Sequence, residues 1–150
     1  MRWRFVDSIT RFEAWTAAEG RKTVSLEEYS LLEPLGRKGC LPESLLVETC
    51  VQLGRWLVVK SSDFERTCML SEIDRFAFVR ETAPGWTLSL AVRVTGTDAD
   101  SLNLACSVTE GTLPVGAGNV RVSLAPLGIW AATEDVRAIW RELYGATSRA

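Results

Sequence analysis

The sequence contains no histidine. That absence removes the commonest general base, the commonest zinc ligand and every Ser-His or Cys-His nucleophile pair. An excess of either charge is also missing. A net charge of −2 gives no electrostatic support for binding nucleic acid. Long apolar runs are lacking: the stretch 45–59 is interrupted by Glu48, Gln52 and Arg55. It falls short of the roughly 20 apolar residues that span a bilayer. The start, MRWRFVDSITR, has no continuous apolar h-region, so it does not read as a secretory signal. The cysteines, Cys40, Cys50, Cys68 and Cys106, form no C-x-x-C pair, and no cluster has metal-ligand spacing. Repeats and low-complexity tracts are absent. The expectation is a cytoplasmic protein with no membrane segment, no nucleic-acid partner, no metal and no cofactor.

What is present suits one domain over 1–150. Apolar residues make up 47% of the chain, enough for a real core. Segments 3–13 and 15–26 read as short strands, with Glu19-Gly20 as a break between or within them. Residues 27–41 hold Pro34, Gly36 and Gly39 and read as a loop, with a short helical turn near 26–32. Pro42 then opens a helix over 43–60, with Glu43 in its first turn and Lys60 in its last. Apolar residues surround this helix nearly completely, so it is expected to be buried nearly all round. Strands follow. The run 68–81 alternates, with Ile73, Phe76 and Phe78 as expected core contacts, and Pro84-Gly85 marks a turn. The run 86–94 puts Trp86, Leu88, Leu90, Val92 and Val94 on one face. The run 101–111 does the same with Leu102, Leu104, Cys106 and Val108. A loop with Pro114, Gly116 and Gly118 leads to a strand over 119–127. A last helix, 133–144, with Thr133 as N-cap, carries the stripe Val136, Ile139, Trp140, Leu143 and Tyr144. That stripe is expected to pack on the outer sheet or across a dimer.

A helix without a broad polar face needs a surface that wraps it, and a curved antiparallel sheet provides one. The element order thus predicts an α+β fold of the hot-dog type, a sheet wrapped around a central helix, with an extra C-terminal helix.

Glu48 stands in the middle of the buried helix. A carboxylate in such a place is either paired or used. The surrounding motif resembles the β-hydroxyacyl-acyl carrier protein dehydratases, whose core reads roughly G-H-F-P-G-x-P-x-x-P-G-x-x-x-x-E-A-x-A-Q. Here LEPLGRKGCLPESLLVETCVQ matches at Pro42, Glu48 and Gln52 with the right spacing. FVDSIT resembles the family's first strand. DRFAFVRETAPGWTLSLAVRV resembles its strand, Pro-Gly turn and long strand. The resemblance runs through residues 3–126. It implies a dimer acting on 3-hydroxyacyl thioesters of acyl carrier protein in fatty-acid or polyketide-type assembly. A loop histidine would remove the C2 proton and the helix acid would help the hydroxyl leave. The histidine position falls on Pro34, followed by Leu35, Gly36 and Arg37 where the family has Phe-Pro-Gly. Proline offers no base, and losing such a group removes a factor of about 10² to 10⁴ in rate. The residues therefore do not support self-sufficient dehydration by that mechanism.

Several readings stand side by side. In one, Gln52 and Arg55, four and seven residues after Glu48 and on its helix face, satisfy an inherited carboxylate. In another, Glu48 still works in an acyl-thioester pocket with Gln52 in support, as in hot-dog thioesterases that use one helix carboxylate. In a third, the chain is a non-catalytic partner that lends Glu48 to a histidine-bearing dehydratase subunit in a heteromer. The resemblance places Pro34, Leu35, Gly36, Arg37, Lys38 and Cys40 around the substrate and carrier region; Arg55 joins them as a candidate through its helix face alone, since the family has no regular arginine there. Arg37 and Lys38 suit an acidic carrier protein, or are a solvated loop pair. Cys40 is a loop thiol with only those two cations to activate it.

Overall fold

The structure, a computed structural model, describes residues 4–25 and 41–145. The helical turn near 26–32 and the loop positions Pro34, Leu35, Gly36, Arg37, Lys38 and Cys40 lie outside the described residues.

Six strands form one antiparallel sheet: β1 (Ser8–Glu13), β2 (Ala17–Thr23), β3 (Arg66–Phe78), β4 (Thr87–Thr97), β5 (Ser101–Glu110) and β6 (Leu113–Pro126). Their order across the sheet is β1-β2-β4-β5-β6-β3, which leaves β1 and β3 at the edges. Helix α1 (Glu43–Ser61) lies against the sheet, and α2 (Thr133–Gly145) closes the chain after a short 3-10 turn, Leu127–Ile129. This is the hot-dog arrangement that the element order predicts.

Helix α1 starts where proline fixes the backbone. Pro42 has φ −53°, and its carbonyl accepts from the N–H groups of Leu45 and Leu46 at 2.9 and 3.1 Å. The buried Thr82 hydroxyl accepts the Leu41 N–H at 2.9 Å and so ties this entry to the segment before β4. Leu46, Cys50, Val51, Leu53, Leu57 and Val58 are fully buried around the helix. Each large aliphatic side chain of this kind stabilises the fold by about 1.5–3 kcal/mol. Gly54 lets the helix approach the sheet: a Cβ there would lie 2.6 Å from Leu104 Cδ1. The alternation of β4 and β5 buries Leu88, Leu90, Val92, Leu102, Leu104, Cys106 and Val108 beneath the helix, as expected.

Five expectations need correction. Glu19 and Gly20 lie inside β2; the chain turns instead at 14–16, where Trp15 has φ 55° and Thr16 N–H donates to Glu13 O. Pro114, Gly116 and Gly118 belong to β6, not to a loop. The glycines read as breakers, yet they accommodate aromatic rings: a Cβ on Gly116 would meet the Phe78 ring at 2.6 Å, and one on Gly118 would meet the Phe76 ring at 2.6 Å. Ile73 is 51% exposed rather than in the core, because β3 is an edge strand with a bulge near Arg75, whose φ is 51°. Helix α2 does not pack on the outer sheet. It lies beside α1, with Trp140 against Phe12 of β1 at 5.4 Å and Trp56 of α1 at 6.1 Å between ring centroids. Thr133, the expected cap, falls inside the helix, one residue after the actual cap position Ala132, whose carbonyl accepts the Val136 N–H.

Candidate functional site

A cavity of about 710 Å³ opens beside α1. Four groups of residues line it. From α1 come Leu45, Glu48, Gln52, Arg55, Trp56 and Val59. Arg4 and Phe5 enter from the segment before β1, and Thr67, Cys68 and Met69 from the start of β3. Leu127, Trp130, Ala131, Val136 and Ile139 close it from the C-terminal segment. Most of this lining is apolar. The polar groups are concentrated on one stripe of α1, at positions 48, 52 and 55.

Glu48 is half-buried. Gln52 Nε2 donates to its Oε1 at 3.3 Å. The Gln52 carbonyl in turn accepts the Phe5 backbone N–H at 3.0 Å. That second bond fixes which end of the amide faces the acid. The segment before β1 thus orients Gln52, and Gln52 orients Glu48. Among the described residues, the second Glu48 oxygen has no hydrogen-bond partner, and Glu48 is part of the cavity lining.

Arg55 does not pair with Glu48. Its Nε donates to the Cys68 carbonyl at 3.1 Å, and no carboxylate of a described residue lies within 4 Å of its guanidinium. The expectation that Gln52 and Arg55 jointly satisfy Glu48 holds for Gln52 alone. Two turns of helix, about 10 Å along the axis, separate Arg55 from Glu48, and a nearer acceptor on β3 takes its Nε.

Cys68 also faces the cavity, but it is not an activated nucleophile. Burial pushes its thiol up to about 12 from the ordinary 9.0, against the opposing field of Arg55. Cys50 is raised as well, first by a hydrogen bond with Cys106 and then by burial. A thiol held protonated does not attack at neutral pH. Asp7 is a structural acceptor, as expected, and receives the Thr23 N–H. Among the described residues, no group of three or more Cys, Asp or Glu side chains is placed to hold a metal ion.

Sequence reasoning missed two parts of the site and one buried cation outside its lining. Phe5 supplies the backbone N–H that sets Gln52, and only its place just ahead of a strand hinted at this. Val136 and Ile139 of α2 form a wall of the cavity; their stripe was visible, but its destination was not. Lys22 is 1% exposed on the core face of β2, with its Nζ 5.3 Å from the Phe5 ring. The alternation Ala18, Gly20, Lys22, Val24 could have revealed that inward position.

Comparison with known proteins bears on the fold. The chain is 31% identical over 88 residues to the 3-hydroxyacyl-[acyl-carrier-protein] dehydratase FabZ of Herpetosiphon aurantiacus, covering 58% of this chain and 62% of that one. It is 26% identical over 91 residues to FabZ of Clostridium botulinum, covering 60% and 63%. It therefore spans just under two thirds of the curated relatives it matches. No family model matches the chain. Among solved structures, the fluoroacetyl-CoA thioesterase FlK superposes with a TM-score of 0.68 at 12% identity, covering 85% of this chain and 97% of that one. A hot-dog-like protein from Thermanaerovibrio acidaminovorans gives 0.66 at 14%, covering 87% and 93%. A Streptococcus mutans protein bound to acetyl CoA gives 0.66 at 13%, covering 84% and 94%. The fold is that of the hot-dog proteins, and the resemblance to the dehydratases extends to aligned sequence relatives.

Proposed function

We propose that this chain is a dehydratase-like hot-dog protein that binds acyl thioesters and presents Glu48 to the acyl group, without a base of its own for self-sufficient dehydration. One observation carries this reading. A carboxylate with one oxygen oriented by Gln52 and the other unpartnered among the described residues faces a largely apolar cavity of about 710 Å³. Such a cavity suits an acyl chain, and such an acid suits proton transfer at its activated end. The natural donor is an acyl carrier protein of fatty-acid or polyketide-type assembly in the cytoplasm. The whole of 1–150 then acts as one hot-dog domain.

Two copies are proposed to pair along the β3 edge. Met69 (47% exposed), Leu70 (39%) and Ile73 (51%) present apolar surface on an unpaired strand edge. Met69 also lines the cavity, so a second chain at this edge borders the site. A second copy brings no histidine; a different, histidine-bearing dehydratase subunit at the same edge would supply the base that Pro34 cannot.

The Glu48 oxygen that has no partner among the described residues favours a second reading, hydrolysis. There Glu48 takes a proton from a water that attacks the thioester carbonyl. The new C–O bond forms, the C–S bond breaks, and the proton passes to the departing thiolate.

Mass spectrometry of the protein with 3-hydroxyacyl, 2-enoyl and saturated acyl carrier proteins separates these readings. Loss of water that Glu48→Gln abolishes would make the chain a dehydratase despite its missing histidine. Loss of the acyl group would make it a thioesterase. No turnover alone, with turnover restored by a histidine-bearing dehydratase subunit, is the expected outcome for a shared site. No association with any of the three substrates would end the acyl-thioester reading.

A further inference from the structure

Arg55 is a cation in an apolar cavity for which the acyl-thioester reading has no use. We propose that Arg55 is a specificity-determining residue that selects acyl chains carrying a carboxylate at the end remote from the thioester. This rests on the acyl-thioester reading and names the substrate class within it.

Three observations converge. First, Arg55 is half-buried, and its side chain is held in one orientation by the Nε bond to the Cys68 carbonyl at 3.1 Å. That bond uses the Nε edge and leaves the terminal Nη1–Nη2 fork. The fork matches a planar carboxylate with two parallel hydrogen bonds. Second, the cavity's other arginine is already committed: Arg4 Nη1 pairs with Glu142 of α2 at 3.0 Å. Arg55 has no such partner among the described residues, and Glu48, the acid on its own helix face, is bonded by Gln52 instead. Third, the two charges stand at different levels of one cavity. Seven residues at about 1.5 Å rise set their Cα atoms about 10 Å apart along the helix, and that spacing serves as the measure of the span between them.

A cation left unpaired beside apolar walls costs stability unless something completes it. A methyl-ended chain would leave the fork bare and would press its apolar end towards a charge. A chain ending in a carboxylate would complete the fork while its methylenes lie along Trp56 and Val59. With covalent bonds of about 1.5 Å in a zigzag, a 10 Å span corresponds to roughly an eight-carbon chain. The fitting ligand is thus a medium-length dicarboxylic half-thioester: the thioester end at Glu48 and the free carboxylate at Arg55.

The test uses N-acetylcysteamine-type analogues in which a CH₂ replaces the thioester sulfur. They are not hydrolysed, and they carry no phosphate that could itself occupy Arg55. Calorimetry would compare the octanoyl analogue with its carboxylate-ended counterpart, suberyl. The wild-type protein is expected to bind the suberyl analogue about tenfold tighter or more, as a buried bidentate pair allows. Arg55→Met, which keeps length and removes charge, is expected to reverse the order. Arg55→Lys, which keeps charge and loses the fork, is expected to retain only part of the preference and guards against a folding defect in the methionine variant. Equal or tighter binding of the octanoyl analogue by wild type would overturn the assignment of Arg55 and leave the acyl-thioester reading standing. A carboxylate preference that survives in Arg55→Met would overturn it too, since another cation would then be responsible. Binding of neither analogue would overturn both readings together.

Discussion

Trp140→Ala removes the side chain that joins α2 to the rest of the fold. Trp140 is 7% exposed. Its ring meets Phe12 edge-on at 5.4 Å, leans on Trp56 at 6.1 Å and stacks on Tyr144 at 5.3 Å. Truncating a buried tryptophan to alanine costs about 3–5 kcal/mol. The lost aromatic pairs with Phe12 and Trp56, each about 0.5–1.5 kcal/mol, place the cost towards the upper part of that range. A protein of this length loses about 2–4 °C of Tm per kcal/mol, so the midpoint should fall by roughly 10–15 °C. Calorimetry gives the midpoint, and amide exchange over 133–145 shows whether α2 opens first. Trp140→Phe should recover about half of the loss, because a smaller ring still reaches Phe12. Ile129→Ala, at a side chain 74% exposed, is the control and should change stability by no more than about 0.5 kcal/mol. If Trp140→Ala melts with the control and α2 keeps its exchange protection, Trp140 does not dock this helix and the cavity wall formed by Val136 and Ile139 is wrongly placed.

Gly118→Val should destabilise by at least about 2 kcal/mol in a urea titration, because a side chain there collides with the Phe76 backbone, whose Cα would lie 2.4 Å from the new Cβ; an unchanged midpoint would show that β3 and β6 are not in this register. The thiols should behave as protonated groups. Cys68 has a folded pKa raised to about 12 from 9.0, so the stability it contributes is fully present below about pH 9 and is lost as pH rises towards about 12. Native protein at pH 7.5 should therefore leave Cys68 and Cys50 unalkylated by iodoacetamide while denatured protein reacts at both, and rapid native labelling at either would contradict their burial.

Much of the fold was legible because its elements follow simple periods. Helix α1 showed itself by apolar density between Pro42 and Lys60. Strands β4 and β5 showed themselves by strict alternation, and their core faces were read correctly. The first half of β6 was not legible, since Gly116 and Gly118 look like breakers until the rings of Phe76 and Phe78 are known to lie over them. Those rings belong to a strand nearly 40 residues earlier, and no local window contains both. Ile73 was misplaced for a related reason. Alternation shows that a strand has two faces, but not that the strand lies at an edge where both are open. For α2 the stripe announced burial, but periodicity alone could not correct the expected partner, the outer sheet, to Phe12 of β1 and Trp56 of α1. At the site, the bond between Gln52 and Glu48 followed from i, i+4 spacing, whereas the bond between Arg55 and the Cys68 carbonyl depends on how β3 returns past the helix.

The placement of the two charges on α1 bears on why they are there. A helix that needed only to neutralise Glu48 would carry a cation three or four residues away, where side chains on one face meet. This helix carries Gln52 there. An amide donates one hydrogen bond to the acid without cancelling its charge, and its own carbonyl is fixed by the Phe5 N–H. The cation stands a further turn away, held by a backbone carbonyl rather than by a carboxylate. Each group is oriented, and neither is neutralised by the other. For stability alone this is a poor arrangement, because half-buried charges facing apolar walls carry a desolvation cost that a direct pair would offset. Oriented but uncompensated groups are what a binding site requires, since their remaining hydrogen-bonding capacity is reserved for a ligand. The stripe 48–52–55 thus fits the proposed ligand site better than it fits an acid merely kept satisfied, and Glu48→Gln in the turnover assay decides between the two.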